Sequence, residues 1–537
     1  MVRIGTRMFR SLHRARRRSL TPLAWAASAL CLMLCACGGN GGSSSNSPPP
    51  PPPPPQTLSK TDVSAIVQAA AEAVSSDTMA IAVVDRLGRI LAVYKEPSVP
   101  PTVVGNFSQM VASDDLAVSL ARTGAFFSND QAPLSSRTVR FISGTHFPPE
   151  VMNTANGALY GIENTNRGCT LSSTLSATVP PSTTILGLSP GLGIATGKAD
   201  VDDSQQAAVN PGGVPIFKDG QEVGGVGVTG VSADVAEYVA FVAAGMIAAG
   251  GPSTQTDQVG FPQFPSPGVV TINGITLPFV NQTTLPSGAT APGTFNAAFF
   301  SVGPTASPGA PPDGNLITPT NGPLGGLTVA QVTQIINAAV ATANQTRAQI
   351  RLPLGSKARM AIAVSDLDGT LIGLYRMPDA TVFSIDVAAT KARNVIYFSG
   401  TTRTMADLNQ VPIGTAVTNR TIGFGAQPFF PPGIDGSAAG PFFNLYTQDV
   451  ANPCTQGFQA PNPNQSGIVF FPGSEPLYIN GVLVGGLGVS GDGVDQDDFV
   501  TAGGGVGFEA PASIRADQII IDGVRLPYLS FPRNPTQ

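Results

Sequence analysis

The sequence is poor in the side chains that most often carry out chemistry in proteins. Its 537 residues include only two histidines, five cysteines and one tryptophan, and charged residues make up 12%. So few histidines and cysteines exclude zinc-finger arrays and proteins with many histidine-ligated metal groups. A net charge of −5, with no run rich in Lys and Arg after residue 18, excludes a nucleic-acid-binding protein.

Apolar and turn-forming residues are abundant instead. Apolar residues make up 42% of the chain, and 61 glycines and 49 prolines account for about a fifth of it. The glycines lack a three-residue period, which excludes collagen. The length predicts two to four domains, with enough apolar residues for several cores.

The N-terminus has the pattern of an export signal. Seven arginines and no acidic residue precede Ser19, and the apolar run 23–34 is shorter than the ~20 residues of a transmembrane helix. Leu34-Cys35-Ala36-Cys37 is similar to the lipobox of bacterial lipoproteins. We therefore expect residues 1–36 to be removed and Cys37 to carry the lipid, palmitate included. An ordinary signal peptide that is cleaved nearby is the alternative.

The mature chain that this signal predicts is acidic and tethered to a membrane. Removal of residues 1–36 leaves 22 Lys and Arg against 34 Asp and Glu, a net charge near −12. Residues 37–56 combine a flexible Gly/Ser segment with eight consecutive prolines, which form a stiff spacer. Gly38, directly after the lipidated cysteine, favours an outer-membrane lipoprotein that faces the periplasm or the cell surface.

Internal similarity indicates two copies of one module. Residues 79–97 and 360–378 are identical at nine of 19 positions, and residues 220–230 and 481–491 at seven of 11. Because the matching segments occur in the same order, we interpret the chain as a tandem repeat. The predicted organisation is module one (57–285), a Pro/Gly/Thr-rich linker (286–326) and module two (327–537).

Each module is predicted to have an α+β fold, an antiparallel sheet flanked by helices. Ser59 and Thr328 have the spacing of N-caps that open the first helices. Hairpins rather than βαβ units connect the strands, which indicates antiparallel sheets. The predicted elements are hairpins with turns at 85–89 and 366–369, helices at 115–127 and 386–398, glycine-rich strands at 223–228 and 484–489, and final helices from 233 and 495.

Three of these segments resemble the GlcG/HbpS-type haem-binding family. They are the A-I-A-V-x-D hairpin, the helix with Lys391-Ala392-Arg393, and the glycine-rich strand that ends at Gly230 and Gly491. Module one has Leu120 where module two has Lys391. The resemblance implies two profilin/PAS-like modules that pair within the chain, as family dimers do. It also implies haem or a related tetrapyrrole as the ligand, and it leaves further oligomerisation open.

Three side chains are candidates for binding haem iron. His146 is the only histidine of the mature chain, and imidazole is the common axial ligand. It would place the pocket on module one beside Phe147, because module two has Phe429 at the matching position. Tyr94 and Tyr375 end equivalent strands and could ligate as phenolates. The alternatives are a loop histidine bonded to backbone and tyrosines that pack in the core.

The sequence contains no catalytic constellation and no metal-binding motif. Asp492, Asp495, Asp497 and Asp498 are close together, but they lack the ligand order of a calcium-binding EF-hand loop. Acidic residues at the N-terminus of a helix are a simpler interpretation, because the helix dipole favours them there.

Cys169 and Cys454 are the two thiols that remain after lipidation of Cys37. Both lie in the long insertion of their module, and export exposes them to oxidation. If the modules pair about a pseudo-twofold axis, near-equivalent positions meet, and a disulfide is expected. The alternative is two separate thiols.

Three functions stay open at this point. The first is an exported, lipid-anchored protein that binds haem or a related tetrapyrrole for uptake, storage or sensing. The second is a ligand-free structural or interaction lipoprotein. The third is a haem-degrading enzyme, against which the scarcity of histidine and the lack of paired acids and bases count.

Replacement of Cys37 by Ser tests the predicted anchor. The Cys37→Ser chain should lose its acyl mass and leave the membrane fraction, because Cys37 has the position that the motif predicts for the lipidated cysteine. Mass spectrometry and sedimentation measure both properties. Unchanged mass and sedimentation would contradict the lipobox assignment.

Overall fold

The computed structural model describes residues 56–164, 169, 209–245, 270–302 and 312–537. The predicted signal peptide, Cys37 and the tether up to residue 55 lie outside these residues. Within them, no helix is both long and apolar enough to cross a membrane. The α-helices are α1 (Lys60–Ala73), α2 (Ser113–Phe127), α3 (Ser136–Phe141), α4 (Ala233–Ala243), α5 (Val329–Ala343), α6 (Phe383–Ser399), α7 (Asn419–Gly425), α8 (Phe443–Ala451) and α9 (Val494–Gly504).

The strands form two five-stranded antiparallel sheets and three short hairpins. In chain order they are β1 (Ala80–Asp85), β2 (Ile90–Lys95), β3 (Thr102–Val104), β4 (Met110–Ala112), β5 (Gly213–Lys218), β6 (Gln221–Thr229), β7 (Thr271–Ile272), β8 (Ile275–Thr276), β9 (Phe300–Val302), β10 (Gly314–Ile317), β11 (Ala361–Ser365), β12 (Leu371–Arg376), β13 (Ser474–Ile479), β14 (Val482–Ser490), β15 (Ile520–Ile521) and β16 (Val524–Arg525).

Both large sheets have the same arrangement. The first runs β5-β6-β1-β2-β9 and the second β13-β14-β11-β12-β10. The central pairings also agree, since Ala80 is opposite Thr229 and Ala361 is opposite Ser490. The α+β class and the antiparallel pairing predicted from the sequence are thus confirmed. The edge strands β9 and β10 come from the segment predicted to be a linker, which therefore completes both sheets.

The predicted helices and their caps are confirmed closely. Ser59 and Thr328 accept hydrogen bonds from the backbone N–H groups of Asp62 and Gln331, and both helices begin with a complete capping box. The strands β5 and β13, which pair with the glycine-rich strands, were not predicted from the sequence. The short helices α3, α7 and α8 were not predicted either.

A long helix lies against the glycine-rich strand of each sheet with almost no space between the backbones. A Cβ on Gly227 of β6 would overlap the carbonyl oxygen of Ala117 in α2, and one on Gly488 of β14 would overlap that of Ala388 in α6. Any side chain at these positions would force the helix away from the sheet. The glycines are therefore required by packing rather than by turn geometry.

The two halves share a buried core. The rings of Phe127 and Phe383 stack with centroids 4.2 Å apart, and the N–H of Val382 donates to the carbonyl of Phe126 at 3.1 Å. One continuous apolar cluster contains residues of both sheets and of α2 and α6. The halves are consequently held together by the same forces that fold each of them.

A disulfide also joins the halves. Cys169 and Cys454 are bonded, 285 positions apart in the chain, with their Cα atoms 5.3 Å apart. The rings of Tyr160 and Tyr446 also stack across the same boundary, with centroids 5.1 Å apart. The two insertions that carry the cysteines thus meet each other.

Replacement of Gly488 by Ala should destabilise the protein strongly. Because the new methyl group meets helix backbone, overpacking should cost about 3 kcal/mol or more. Gly414→Ala is a matched control, since Gly414 has φ +85° and nothing within 4 Å; it should cost about 1 kcal/mol through backbone strain alone. Urea unfolding compares the two, and equal losses would disprove the packing argument.

Candidate functional site

His146 is held by a carboxylate of the other half. It is 7% exposed, and its Nε2 lies 2.8 Å from Oδ1 of Asp435. The hydrogen bond from His146 lowers the pKa of Asp435 below its usual value. Nδ1 of His146 is buried and has no hydrogen-bond partner among the described residues. The structure thus places a side-chain partner where the sequence analysis offered a backbone bond.

His146 lies where two equivalent loops meet. The N–H of Phe147 donates to Ala155 at 2.8 Å, and the N–H of Phe430 donates to Ala438 at 2.9 Å, so both loops close in the same way. The N–H of Asn153 donates to Asp435 Oδ2 at 2.9 Å across the boundary. The environment of His146 therefore belongs to both halves rather than to module one alone.

The position that matches His146 is its neighbour in space. The ring of Phe429 lies 6.3 Å from the ring of His146, centroid to centroid. Only one of the two equivalent positions therefore offers an imidazole, and the site is asymmetric although the loops are alike.

The two candidate tyrosines lie elsewhere. Tyr94 is fully buried among Phe295, Phe299 and Phe300, with ring centroids 5.7–5.8 Å apart, and its hydroxyl accepts from the N–H of Asn296 at 3.2 Å. Tyr375 is half-buried on β12 and packs against the core beneath α5. The structure does not bring either tyrosine to His146.

A cavity of about 170 Å³ lies between the halves. Its wall includes Phe147, the residue after His146, together with the stacked pair Phe127 and Phe383 and the first turn of α9. His146, Tyr94 and Tyr375 are not part of the wall. The volume is below the ~300–1,000 Å³ that is typical of sites for drug-sized ligands.

The four carboxylates of the acidic cluster at α9 all form ion pairs. Asp497 lies 3.0 Å from Nζ of Lys391, Asp498 and Asp495 both lie 2.5 Å from Arg420, and Asp492 pairs with Arg351. No group of three or more His, Cys, Asp or Glu side chains in the described part of the chain could hold a metal ion. The cluster therefore orders the second sheet and its helices.

A second set of buried charges, which the sequence analysis missed, crosses the boundary. Arg86, in the turn after β1, lies 2.6 Å from both Glu222 and Asp379, and Asp379 lies 2.5 Å from Arg351. Burial raises the pKa of Glu222 well above its usual value, although Arg86 opposes this. Since no sequence pattern relates these positions, only the three-dimensional structure identifies them.

Each half contains an arginine that makes the same hydrogen bond at the equivalent position. Nε of Arg122 donates to the carbonyl of Gly88 at 2.9 Å, and Nε of Arg393 donates to that of Gly369 at 3.0 Å. Each arginine thereby ties its helix to the turn of the first hairpin. The Arg of the K-A-R motif is thus structural in this chain.

His146 fits the role of an iron ligand on the chemistry of its surroundings. A metal-binding histidine usually donates its other ring N–H to a carboxylate, which fixes the tautomer and leaves the second nitrogen bare. Asp435 supplies that carboxylate, and Nδ1 of His146 is the nitrogen without a hydrogen-bond partner among the described residues. Tyr94 does not fit, because its hydroxyl lies within an aromatic cluster. The cavity contains no candidate ligand for iron.

Comparisons with known proteins support the family resemblance. Residues 327–504 match the family model described as "Haem degrading protein HbpS-like", so this part of the chain is similar to that family. No curated protein matches the chain.

Solved structures of similar proteins include PduOC in complex with haem, with 22% identity over 34% of this chain and 96% of that chain and a TM-score of 0.23. ORFY from Klebsiella pneumoniae has 21% identity over 33% of this chain and 87% of its own, with a TM-score of 0.22. A double mutant of HbpS from Streptomyces reticuli has 20% identity over 38% of this chain and 97% of that chain, with a TM-score of 0.20.

Glu475 is a buried acid in the second sheet's glycine-rich hairpin that forms no salt bridge with the part of the chain that the structure describes. It lies on β13, is 3% exposed, and its Oε2 has no hydrogen-bond partner among the described residues. Burial raises the pKa of Glu475 from the usual 4.5 to about 8, and Glu509 and Asp498 add to the effect. The folded protein therefore keeps this carboxyl protonated at neutral pH.

The free energy of unfolding should fall as the pH rises from about 4.5 to about 8. Between about pH 4.5 and 8 the folded state binds one more proton at Glu475 than the unfolded state does, so each rise in pH favours unfolding. Glu475→Gln should leave the melting temperature nearly unchanged at pH 5 and raise it at pH 8.5. The free energy of unfolding should rise by about 2 kcal/mol or more at the higher pH. The exposed Glu150→Gln is the control, and a parallel pH profile of wild type and Glu475→Gln would rule the effect out.

Proposed function

We propose that this protein is an exported, lipid-anchored binding protein for haem or a related tetrapyrrole, with His146 as the ligand to the iron. The observation that carries the proposal is the pair His146–Asp435, in which one ring nitrogen is bonded to a half-buried carboxylate and the other has no hydrogen-bond partner among the described residues. The match of residues 327–504 to an HbpS-like family supports the ligand class.

The chain's own residues have distinct tasks in this proposal. Asp435 accepts the N–H of Nε2 and so holds the imidazole ring in one orientation and one tautomer. The reciprocal bonds between Asn153 and Asp435, at 2.9 and 3.1 Å, hold the two loops together. Bound haem would supply redox and ligand-binding chemistry at its iron. We do not assign the ring to the 170 Å³ cavity, because that volume is too small for a macrocycle.

Four features support export and anchoring. The arginine-rich start, the short apolar run and the Leu34–Cys37 motif have the order of a lipoprotein signal. The disulfide between Cys169 and Cys454 suits an oxidising compartment, because cytosolic proteins rarely keep one. We further propose that the outer membrane holds the anchor and that uptake, storage or sensing is the role.

Titration of the purified full-length chain with hemin tests the function. Wild type should develop a Soret band with one-to-one stoichiometry, and His146→Ala should shift that band and weaken binding. Asp435→Asn should weaken binding about 10- to 100-fold, as expected when the carboxylate behind a ligand is lost. Acidification should also release the iron, because a protonated imidazole cannot ligate.

Tyr94→Phe and Tyr375→Phe are matched controls that should leave the spectrum unchanged. An unaltered Soret band in His146→Ala would remove His146 from the proposal and direct attention to Tyr375. A wild-type chain that binds no hemin would support the ligand-free structural role. Loss of the Soret band on addition of a reductant and oxygen would instead indicate haem degradation.

A further inference from the structure

The cavity between the halves is lined mainly by apolar side chains. Phe127 and Leu134 come from the first half, Phe383 and Phe471 from the second, and Ile272 from the hairpin β7–β8. An engineered apolar cavity of about 150 Å³ takes up benzene. A volume of about 170 Å³ therefore suits a molecule of one aromatic ring with a short substituent.

One wall residue offers an unused polar atom. Asp497, in the first turn of α9, is 2% exposed and forms part of the wall. Its Oδ2 accepts a hydrogen bond from Lys391, whereas its Oδ1 is buried and has no partner among the described residues. A buried oxygen without a donor destabilises the folded state, and a ligand that supplies a donor recovers this cost.

The surrounding charges favour a cationic donor. Four carboxylates lie together here and pair with three cationic side chains, one of which, Arg351, also pairs with Asp379, so that carboxylates outnumber cations in this set. They are Asp492, Asp495, Asp497 and Asp498, with Lys391, Arg351 and Arg420. A negatively charged ligand would meet repulsion at this wall, and a neutral one would leave the excess charge in place.

We propose that this cavity is a binding site for a small primary amine with an aromatic or compact apolar body, whose ammonium group donates to Oδ1 of Asp497. The apolar wall takes the body of the ligand, and the excess negative charge at α9 selects the ammonium group. The site is separate from His146 and does not depend on haem binding.

The matching place in the first half lacks this chemistry. By the alignment of the glycine-rich strands and the long helices, Ala236 corresponds to Asp497 and Leu120 to Lys391. An apolar pair thus replaces the ion pair, so the chain should contain one such amine site.

Calorimetric titration of the purified full-length chain with benzylamine tests the proposal, with benzyl alcohol as the uncharged ligand of the same shape. Burial raises the pKa of Asp497 to about 7, although Lys391 opposes this, so pH 8 keeps the carboxylate ionised while the amine stays protonated. Benzylamine should bind with one-to-one stoichiometry and at least ~10-fold more tightly than benzyl alcohol, the ratio expected for a buried charge-assisted hydrogen bond.

Two variants separate the body of the ligand from its charge. Ala158→Phe fills the cavity and replaces no member of the ion pairs, so it should abolish binding of both ligands, whereas the exposed Ala439→Phe should leave binding unchanged. Asp497→Asn keeps the shape and should remove the preference for the amine. Failure of wild type to bind benzylamine, equal affinity for the alcohol, or full binding by Ala158→Phe would each overturn the proposal. Because hemin is absent from these titrations, their outcome is independent of the haem proposal.

Discussion

The close contact between a long helix and a glycine-rich strand is the constraint on which both sheets depend. On β6 and β14 the glycines let the helix backbone approach the sheet directly, and carbonyl oxygens of α2 and α6 occupy the space where side chains would be. This contact sets the depth of each helix, and Arg122 and Arg393 then reach the hairpin turns from it. A side chain at one glycine would displace the helix and also the groups that the helix positions.

The pairing of the halves is the second level of organisation. Stacked Phe127 and Phe383, the ion pairs around Asp379 and the disulfide all cross the same boundary. Buried ion pairs add little net stability when their desolvation is counted, but breaking one leaves a costly unpaired charge. These pairs therefore disfavour separation of the halves and other relative positions of them, while the apolar contacts supply most of the attraction.

The two halves differ at the positions where one of them carries a polar side chain of a candidate site. His146 faces Phe429 rather than a second histidine, and the ion pair of Lys391 with Asp497 corresponds to Leu120 and Ala236. In each case the backbone is retained while one half carries the polar group. A chain with two similar sheets can thus keep its packing and still specialise one position of each pair.

Local patterns were sufficient to predict the capped helices, the first hairpins, the glycine-rich strands and the antiparallel α+β class, because each depends on residues close together in the chain. The family resemblance of residues 327–504 could be recognised for the same reason, because short sequence segments carry it. Sequence also singled out His146 by its rarity. It could not identify Asp435, which lies 289 positions away, nor the ion pairs of Arg86, because periodicity carries no information about which distant loops meet. The edge strands β9 and β10 were missed as well, since their short segments become strands only by pairing with sheets that already exist. The partner of His146, the unpaired oxygen of Asp497 and the cavity beside it were decided by the tertiary structure alone, because each arises where the two halves pack together.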